Sequence, residues 1–255
     1  MTNALLIFNA RLLDENIDTP GCILSVGGKI RAVFQGYFTD SKTAENLANS
    51  VLQEDGLIQN TRLETFDAHG LTVTPSFIDM HVHFRDPGLT QKEDLNSGLH
   101  AAVAGGYGTV VAMPNTNPVI SSYEAAKDVM ERGAALGLAN IFQSVSITAG
   151  FEGKDITHLE NLNREEIPLI TEDGHEVASS AVMYNAMKIA GEKNIIVSCH
   201  CEDPDLAAAA RPHRQHALEI MEKWHLPAWG GTQTDMSHIP QEVISEIDSS
   251  LTEAN

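Results

Sequence analysis

The run Phe77-Ile78-Asp79-Met80-His81-Val82-His83-Phe84-Arg85-Asp86-Pro87-Gly88 decides how the rest of the chain is read. Phe77 to His83 has the pattern of a strand, and Arg85-Asp86-Pro87-Gly88 lies just past its end. On a strand, residues i and i+2 share a face. His81 and His83 can therefore present two imidazoles to one metal ion. Zinc suits such nitrogen ligands and keeps an open position for water. Arg85 stands one further i+2 step along. If the strand direction continues, its guanidinium points into the same pocket, where it can pair bidentately with a substrate carboxylate. The plainer alternatives are an incidental histidine spacing and a surface arginine paired with Asp86.

Strand and helix patterns alternate from this run onward. Strands are expected at Phe77–His83, Tyr107–Met113, Asn140–Ile147, Ile167–Thr171 and Ile195–Cys199. Helices are expected at Lys92–Ala104, Tyr123–Leu136 (N-capped by Ser121 or Ser122), Leu159–Glu166, Val177–Glu192, Pro212–Trp224 and Gln241–Ile247. Such alternation predicts βαβ units and a parallel sheet. The polar residues sit where strands end, which favours an incomplete TIM-type (β/α)8 barrel of about five βα units. An open doubly wound sheet is the runner-up, and it lacks the glycine-rich phosphate turn.

Upstream, residues 1–70 read as a small β-rich domain, leaving 71–255 for the partial barrel. Leu5–Leu13 and Cys22–Val26 are strands, and Gly27-Gly28 is a hairpin signal. From Gly36 to Asn60 the chain turns polar and reads as an elaborated loop with at most one short helix. A strand resumes at Leu63–Phe66 before the turn at Ala68-His69-Gly70. The apolar N-terminal stretch is short and lacks a basic n-region, so it reads as a first strand and not a signal peptide.

Composition narrows the function. The 255 residues carry a formal net charge of −19, which disfavours phosphate backbones and hence nucleic-acid partners. No apolar run is long enough to span a bilayer. Cys22, Cys199 and Cys201 form no disulfide framework and no C-x-x-C pair, so reduced thiols and a cytoplasmic location are expected.

Three later clusters carry polar chemistry. Met113-Pro114-Asn115-Thr116-Asn117-Pro118 places Asn115 at a strand exit, where it is either a turn former or a donor–acceptor for a small polar ligand. Thr171-Glu172-Asp173-Gly174 offers a carboxylate that can bridge or complete a metal site, or an ordinary acidic turn. Cys199-His200-Cys201-Glu202-Asp203 offers His200 as a third nitrogen ligand. Its cysteines would point away from His200, as small hydrophobes on a buried strand. His69, His100, His158, His175, His213, His216, His225 and His238 have no comparable pattern, although His213 and His216 at i, i+3 could share a metal.

With these clusters in order, the chain resembles the dihydroorotases of the amidohydrolase superfamily, of the type with an aspartate in place of a carboxylated lysine. His81-Val82-His83-Phe84-Arg85-Asp86-Pro87-Gly88 is similar to that family's H-x-H-x-R-[ED]-P-G signature, and Met113-Pro114-Asn115-Thr116 to its second. The resemblance implies one or two zinc ions. His81 and His83 would bind the first, Asp173 would bridge, and His200 would serve the second. Arg85 and Asn115 would hold the substrate carboxylate. The implied reaction is the reversible cyclisation of N-carbamoyl-L-aspartate to L-dihydroorotate in pyrimidine synthesis. In the hydrolytic direction the metal activates water and polarises the ring carbonyl, and a carboxylate carries the proton to the leaving nitrogen. A homodimer or a transcarbamoylase association is the partner expectation.

The resemblance also brings departures. Ser76 stands where glycine is common, and Glu172 where aspartate is common. The family places a further metal histidine after a sixth strand and its catalytic aspartate after an eighth, beyond Asn255. The chain is therefore expected to be an N-terminal part of the family's length, inactive alone and without a catalytic residue of its own. Two rivals remain: a non-catalytic structural relative, and another cyclic-amide hydrolase such as a dihydropyrimidinase or allantoinase. Arg85 beside the histidine pair counts against the latter.

Overall fold

A computed structural model describes residues 2–177, 179–226 and 239–253. The chain is a mixed α/β protein that divides into two compact units, Met1–Phe77 and Ile78–Asn255.

The first unit is a five-stranded sheet. Strands β1 (Thr2–Leu13), β2 (Asp18–Val26) and β3 (Lys29–Gln35) form an antiparallel meander, and β4 (Thr61–Asp67) and β5 (Thr72–Val73) pair in parallel with β1. The hairpin expected at Gly27-Gly28 is present. Both residues have positive φ, 58° and 78°, which the tight turn needs and glycine adopts without strain. Alternation along β1 buries Ala4, Leu6 and Phe8 on one face, and after a bulge between Ile7 and Ala10 the strand buries Ala10 and Leu12 on the other, with Ile7, Ile23 and Val73. The unit passes the boundary expected at position 70 because Thr72 and Val73 pair with Arg11 and Leu12.

The polar stretch 36–60 is not a loop. Helix α1 (Ser41–Glu54) occupies most of it, N-capped by the Asp40 side chain, which accepts from Thr43 N. Ala44, Ala48 and Leu52 recur every four residues and are buried against Leu6, Phe8 and Leu24. A stripe that thin, with polar residues filling the rest of each turn, hides the helix in composition while still sealing the sheet face.

The second unit carries the expected alternation. Strands β6 (Phe77–Val82), β7 (Tyr107–Ala112) and β8 (Asn140–Gln143) make one three-stranded sheet, and β9 (Val145–Ser146), β10 (Leu169–Thr171) and β11 (Ile196–Ser198) make another. β7–β8, β9–β10 and β10–β11 pair in parallel. β8 and β9 are one extended segment broken at Ser144, so consecutive segments are neighbours in chain order. Helices α2 (Leu95–Ala104), α3 (Tyr123–Ala134), α4 (Ser180–Lys193), α5 (Pro204–Lys223) and α6 (Gln241–Glu253) complete the unit. Ser122 is the cap of α3, accepting from Ala125 N. Leu99, Val110, Ile120, Ile141, Val145, Ile147, Ile167 and Ile170 share the core.

Two helix expectations need correction. Residues 159–166 do not form an α-helix. A 3-10 turn spans Thr157–Asn161, and beyond it Glu166 N donates to Asn163 Oδ1 at 3.0 Å while Tyr123 Oη donates to Glu166 Oε1 at 2.5 Å. This local side-chain turn competes with helix. Helix α5 starts at Pro204, not Pro212. Asp203 accepts from the backbone of Asp205 and Leu206, Pro204 occupies the first turn, and Ala207 to Ala210 follow. A strong cap, a proline at N1 and four alanines carry the helix through Pro212. Among the described residues no helix is long and apolar enough to cross a membrane.

Candidate metal centre

The second unit sends its polar residues out from strand ends. Val82 O accepts from Met113 N at 2.8 Å, which ties the exit of β6 to that of β7. Thr171 is in register with Ser198, so Asp173 and His200 each emerge two residues past a paired end.

His81 and His83 do meet. Their Nε2 atoms are 3.2 Å apart, with ring centroids at 5.0 Å and an interplanar angle of 72°. Asp173 closes the triangle, with Oδ1 3.2 Å from His81 Nε2 and Oδ2 3.7 Å from His83 Nε2. The Asp173 side chain is only 6% exposed, against 47% for His81, so a deep carboxylate sits beneath solvent-facing imidazoles. Tetrahedral ligands at about 2.0–2.2 Å from zinc lie about 3.3–3.6 Å from one another. The two Nε2 atoms and the nearer Asp173 oxygen to each lie 3.2–3.7 Å apart, close to that spacing, so the residues present fit a cation of this kind.

Asn115 organises this triangle. Its Nδ2 donates to Asp173 Oδ2 at 2.5 Å, which fixes the amide orientation, and its Oδ1 is 3.1 Å from His83 Nδ1. A carbonyl oxygen can only accept, so His83 carries its proton on Nδ1. The Nε2 lone pair then faces His81 and Asp173, as a metal ligand requires.

Arg85 reaches the site by a different route from the one strand alternation suggests. β6 ends at Val82, and Arg85 has φ 55°, a left-handed conformation that costs a non-glycine residue and is met at functional sites. Its Nη1 donates to Asn115 O at 3.2 Å. The surface pairing with Asp86 is not formed. Asp86 turns instead to Arg132 of α3, whose Nη1 lies 2.9 Å and 3.0 Å from its two oxygens. Gly88 closes the loop at φ 84°. A Cβ there would stand 1.8 Å from Asn117 O, so the glycine of the motif is a packing requirement.

His200 is held apart from the triangle. Its Nδ1 lies 2.8 Å from Glu176 Oε1 and 3.9 Å from Glu202 Oε2. The hydrogen bond to Glu176 raises the His200 pKa above its ordinary value. Burial opposes this, and the charges of Glu176, Asp173 and Glu202 add to it. Cys199 and Cys201 lie past the end of β11 and are exposed, so the expectation of small hydrophobes on a buried strand fails. Nor do His213 and His216 converge: His213 Nδ1 pairs with Glu253 at 2.9 Å and His216 Nε2 with Glu246 at 3.1 Å, both on α6. His238 lies outside the described residues.

Three roles are not visible in the sequence. Glu172 is 3% exposed and accepts from Thr148 N at 2.8 Å and from the Thr148 hydroxyl, and burial raises its pKa above the ordinary carboxylate value. It anchors the turn that carries Asp173. Glu176 and Arg132 act through His200 and Asp86. No local pattern marks any of the three, because each partner is 24 to 46 residues away.

The family model described as dihydro-orotase-like matches residues 70–221, a span containing every candidate site residue named above. The chain is 40% identical over 186 residues to a dihydroorotase of Sulfurihydrogenibium sp. (strain YO3AOP1), covering 70% of this chain and 44% of that protein. It is 35% identical over 236 residues to a dihydroorotase of Clostridium botulinum, covering 92% and 54%. The chain thus spans about half the length of the curated relatives it matches. In fold it is similar to the L-hydantoinase (dihydropyrimidinase) of Arthrobacter aurescens, with a TM-score of 0.60 at 16% identity, covering 98% of this chain and 49% of that one. It is also similar to a dihydropyrimidinase from Brevibacillus agri, with a TM-score of 0.59 at 20% identity, covering 88% and 46%. The matched span takes in well over half of the sequence, and the chain belongs to the dihydro-orotase-like family.

Proposed function

We propose that this chain supplies the metal-holding and carboxylate-recognising part of a dihydroorotase site, on the first five βα units of a (β/α)8 barrel. The observation that carries the reading is the His81–His83–Asp173 triangle with Arg85 anchored beside it on Asn115 O. The proposed cation is zinc, one or two per site, with His81, His83 and Asp173 as ligands and His200 serving the second. When bound, zinc lowers the pKa of water toward neutrality and polarises a carbonyl.

The chain's own residues do the rest. Asn115 holds His83 in the metal-facing tautomer and orients the Asp173 carboxylate, and its second amide hydrogen is left for a ligand. Arg85 uses one Nη1–H on the Asn115 carbonyl, so its other donors can grip an acid group bidentately. The matching substrate is a cyclic amide bearing a carboxylate, dihydroorotate, or carbamoyl aspartate in the reverse direction. Neither dihydrouracil nor allantoin carries such a carboxylate.

The test is binding of dihydroorotate, dihydrouracil and allantoin to the zinc-loaded chain, compared with its Arg85→Ala variant. Binding of dihydroorotate that Arg85→Ala weakens supports the assignment. Binding confined to the uncharged rings defeats it and favours a hydantoinase-type site.

A further inference from the structure

We propose that Arg132 of α3 is a positioning residue for Arg85: by holding the Asp86 carboxylate it keeps that anion from pairing with its neighbour, and so leaves the Arg85 guanidinium open to an acid group of the substrate. This deepens the reading of Arg85 as the carboxylate-binding residue and rests on it.

Asp86 is the nearest competitor that the substrate has. A guanidinium engaged by a carboxylate of its own chain has lost the paired donors that a second carboxylate would need. The fold avoids this. Arg132 Nη1 lies 2.9 Å and 3.0 Å from the two Asp86 oxygens, while Arg132 Nε donates to Asp128 Oδ2 at 2.9 Å on the same helix. Arg85 turns the other way and uses Nη1 on Asn115 O at 3.2 Å. Among the described residues no carboxylate pairs with Arg85. The Asp86 side chain is only 14% exposed, so without Arg132 it would be an under-hydrated anion beside a flexible cation. Pairing with Arg85 is then its readiest relief.

Helix packing explains why Arg132 can do this. Ala126, Val129 and Gly133 form the buried face of α3. A Cβ on Gly133 would stand 2.5 Å from Ile141 Cγ2, so the helix lies close on β8 at that point, and the preceding residue, Arg132, meets the loop after β6. That loop has other ties. Leu89 N donates to Arg85 O at 2.9 Å and Asn117 N to Pro87 O at 3.1 Å, and Gly88 abuts Asn117 O. Its path is therefore held by backbone contacts that do not involve Arg132, and the distinctive effect of the ion pair is on the Asp86 charge.

The experiment measures dihydroorotate, dihydrouracil and zinc binding to the whole chain for the unaltered protein, Arg132→Ala, the double variant Arg132→Ala with Asp86→Asn, and Arg85→Ala. It also follows the ¹⁵Nε–H signal of the Arg85 guanidinium, assigned by its loss in Arg85→Ala. Arg132→Ala should move that signal and weaken dihydroorotate by about tenfold, while zinc and the uncharged dihydrouracil bind as before. Adding Asp86→Asn removes the competing charge and should return both the signal and most of the affinity. A double variant that binds dihydroorotate as weakly as Arg132→Ala overturns the proposal, because a merely structural Arg132 gains nothing from the loss of Asp86. An Arg85 signal unmoved by Arg132→Ala also overturns it. So does a fall in zinc affinity in Arg132→Ala that Asp86→Asn does not recover. If Arg85→Ala binds dihydroorotate as tightly as the unaltered chain, the reading of Arg85 fails instead. The guanidinium signal still decides whether Arg132 keeps Asp86 from it.

Discussion

Gly88→Ala should destabilise the second unit by about 2–5 kcal/mol, and the structure separates this into two parts. Gly88 has φ 84°, and an L-residue in that region costs about 1–2 kcal/mol. The added methyl would also stand 1.8 Å from Asn117 O and 2.8 Å from Asn117 C, both backbone atoms. These cannot rotate away, and Asn117 N is itself bonded to Pro87 O at 3.1 Å. Relieving such an overlap by moving backbone costs about 1–3 kcal/mol more. Gly137→Ala is the internal control. It has φ 65° in the same unit, and no atom lies within 4 Å of the place its methyl would take, so it should show the backbone cost alone. Urea unfolding of both variants measures the two values, and their difference isolates the contact. If Gly88→Ala unfolds at the same urea concentration as Gly137→Ala, the close approach between the two loops is wrong, and with it the account of how Arg85 is brought to Asn115. The total is a sizeable share of the roughly 5–15 kcal/mol that holds a typical domain together.

Other outcomes follow from the same contacts. Arg85→Ala should weaken the binding of dihydroorotate while leaving zinc affinity unchanged in a chelator competition; an equal loss of both would make Arg85 structural. Asn115→Ala removes the partner that holds His83 Nδ1, and zinc affinity should fall by about 10–100-fold in the same competition. Glu172 titrates above its ordinary value of 4.5 because it is buried. A raised folded pKa gives stability that is fully present below the unfolded value and is lost as pH climbs through the folded one. Unfolding free energy should therefore decline from pH 4.5 upward across that window, and Glu172→Gln should flatten the decline. His216→Ala breaks only an exposed pair with Glu246 and should shift stability by less than about 1 kcal/mol.

Local rules were enough for most of the strands and for bringing together the first pair of candidate ligands. Strand period brought His81 and His83 to one point, because two residues apart on one strand is a constraint the backbone enforces whatever surrounds it. Alternating strand and helix patterns found the strand segments of the second unit, and Gly27-Gly28 marked the hairpin of the first, since the conformation that turn needs favours glycine. Helix α1 was lost to such rules because its buried face is only Ala44, Ala48 and Leu52. Its helicity becomes evident once the apolar face of β1 is there to receive that stripe.

The wiring of the site was decided in three dimensions. Arg85 leaves the strand before alternation could aim it, and its direction is set by the Asn115 carbonyl, 30 residues away. Asp86 looks like the natural partner of its neighbour Arg85, yet α3 packs so that Arg132 takes it. Asn115 read as a turn former becomes the link between His83 and Asp173 only when β7 and β10 are placed near each other. Sequence determines which groups are available and which face of their own strand they occupy. Which acceptor each group finds depends on register and packing between segments far apart in the chain, because hydrogen bonds act over about 3 Å and carry no trace in a one-dimensional pattern.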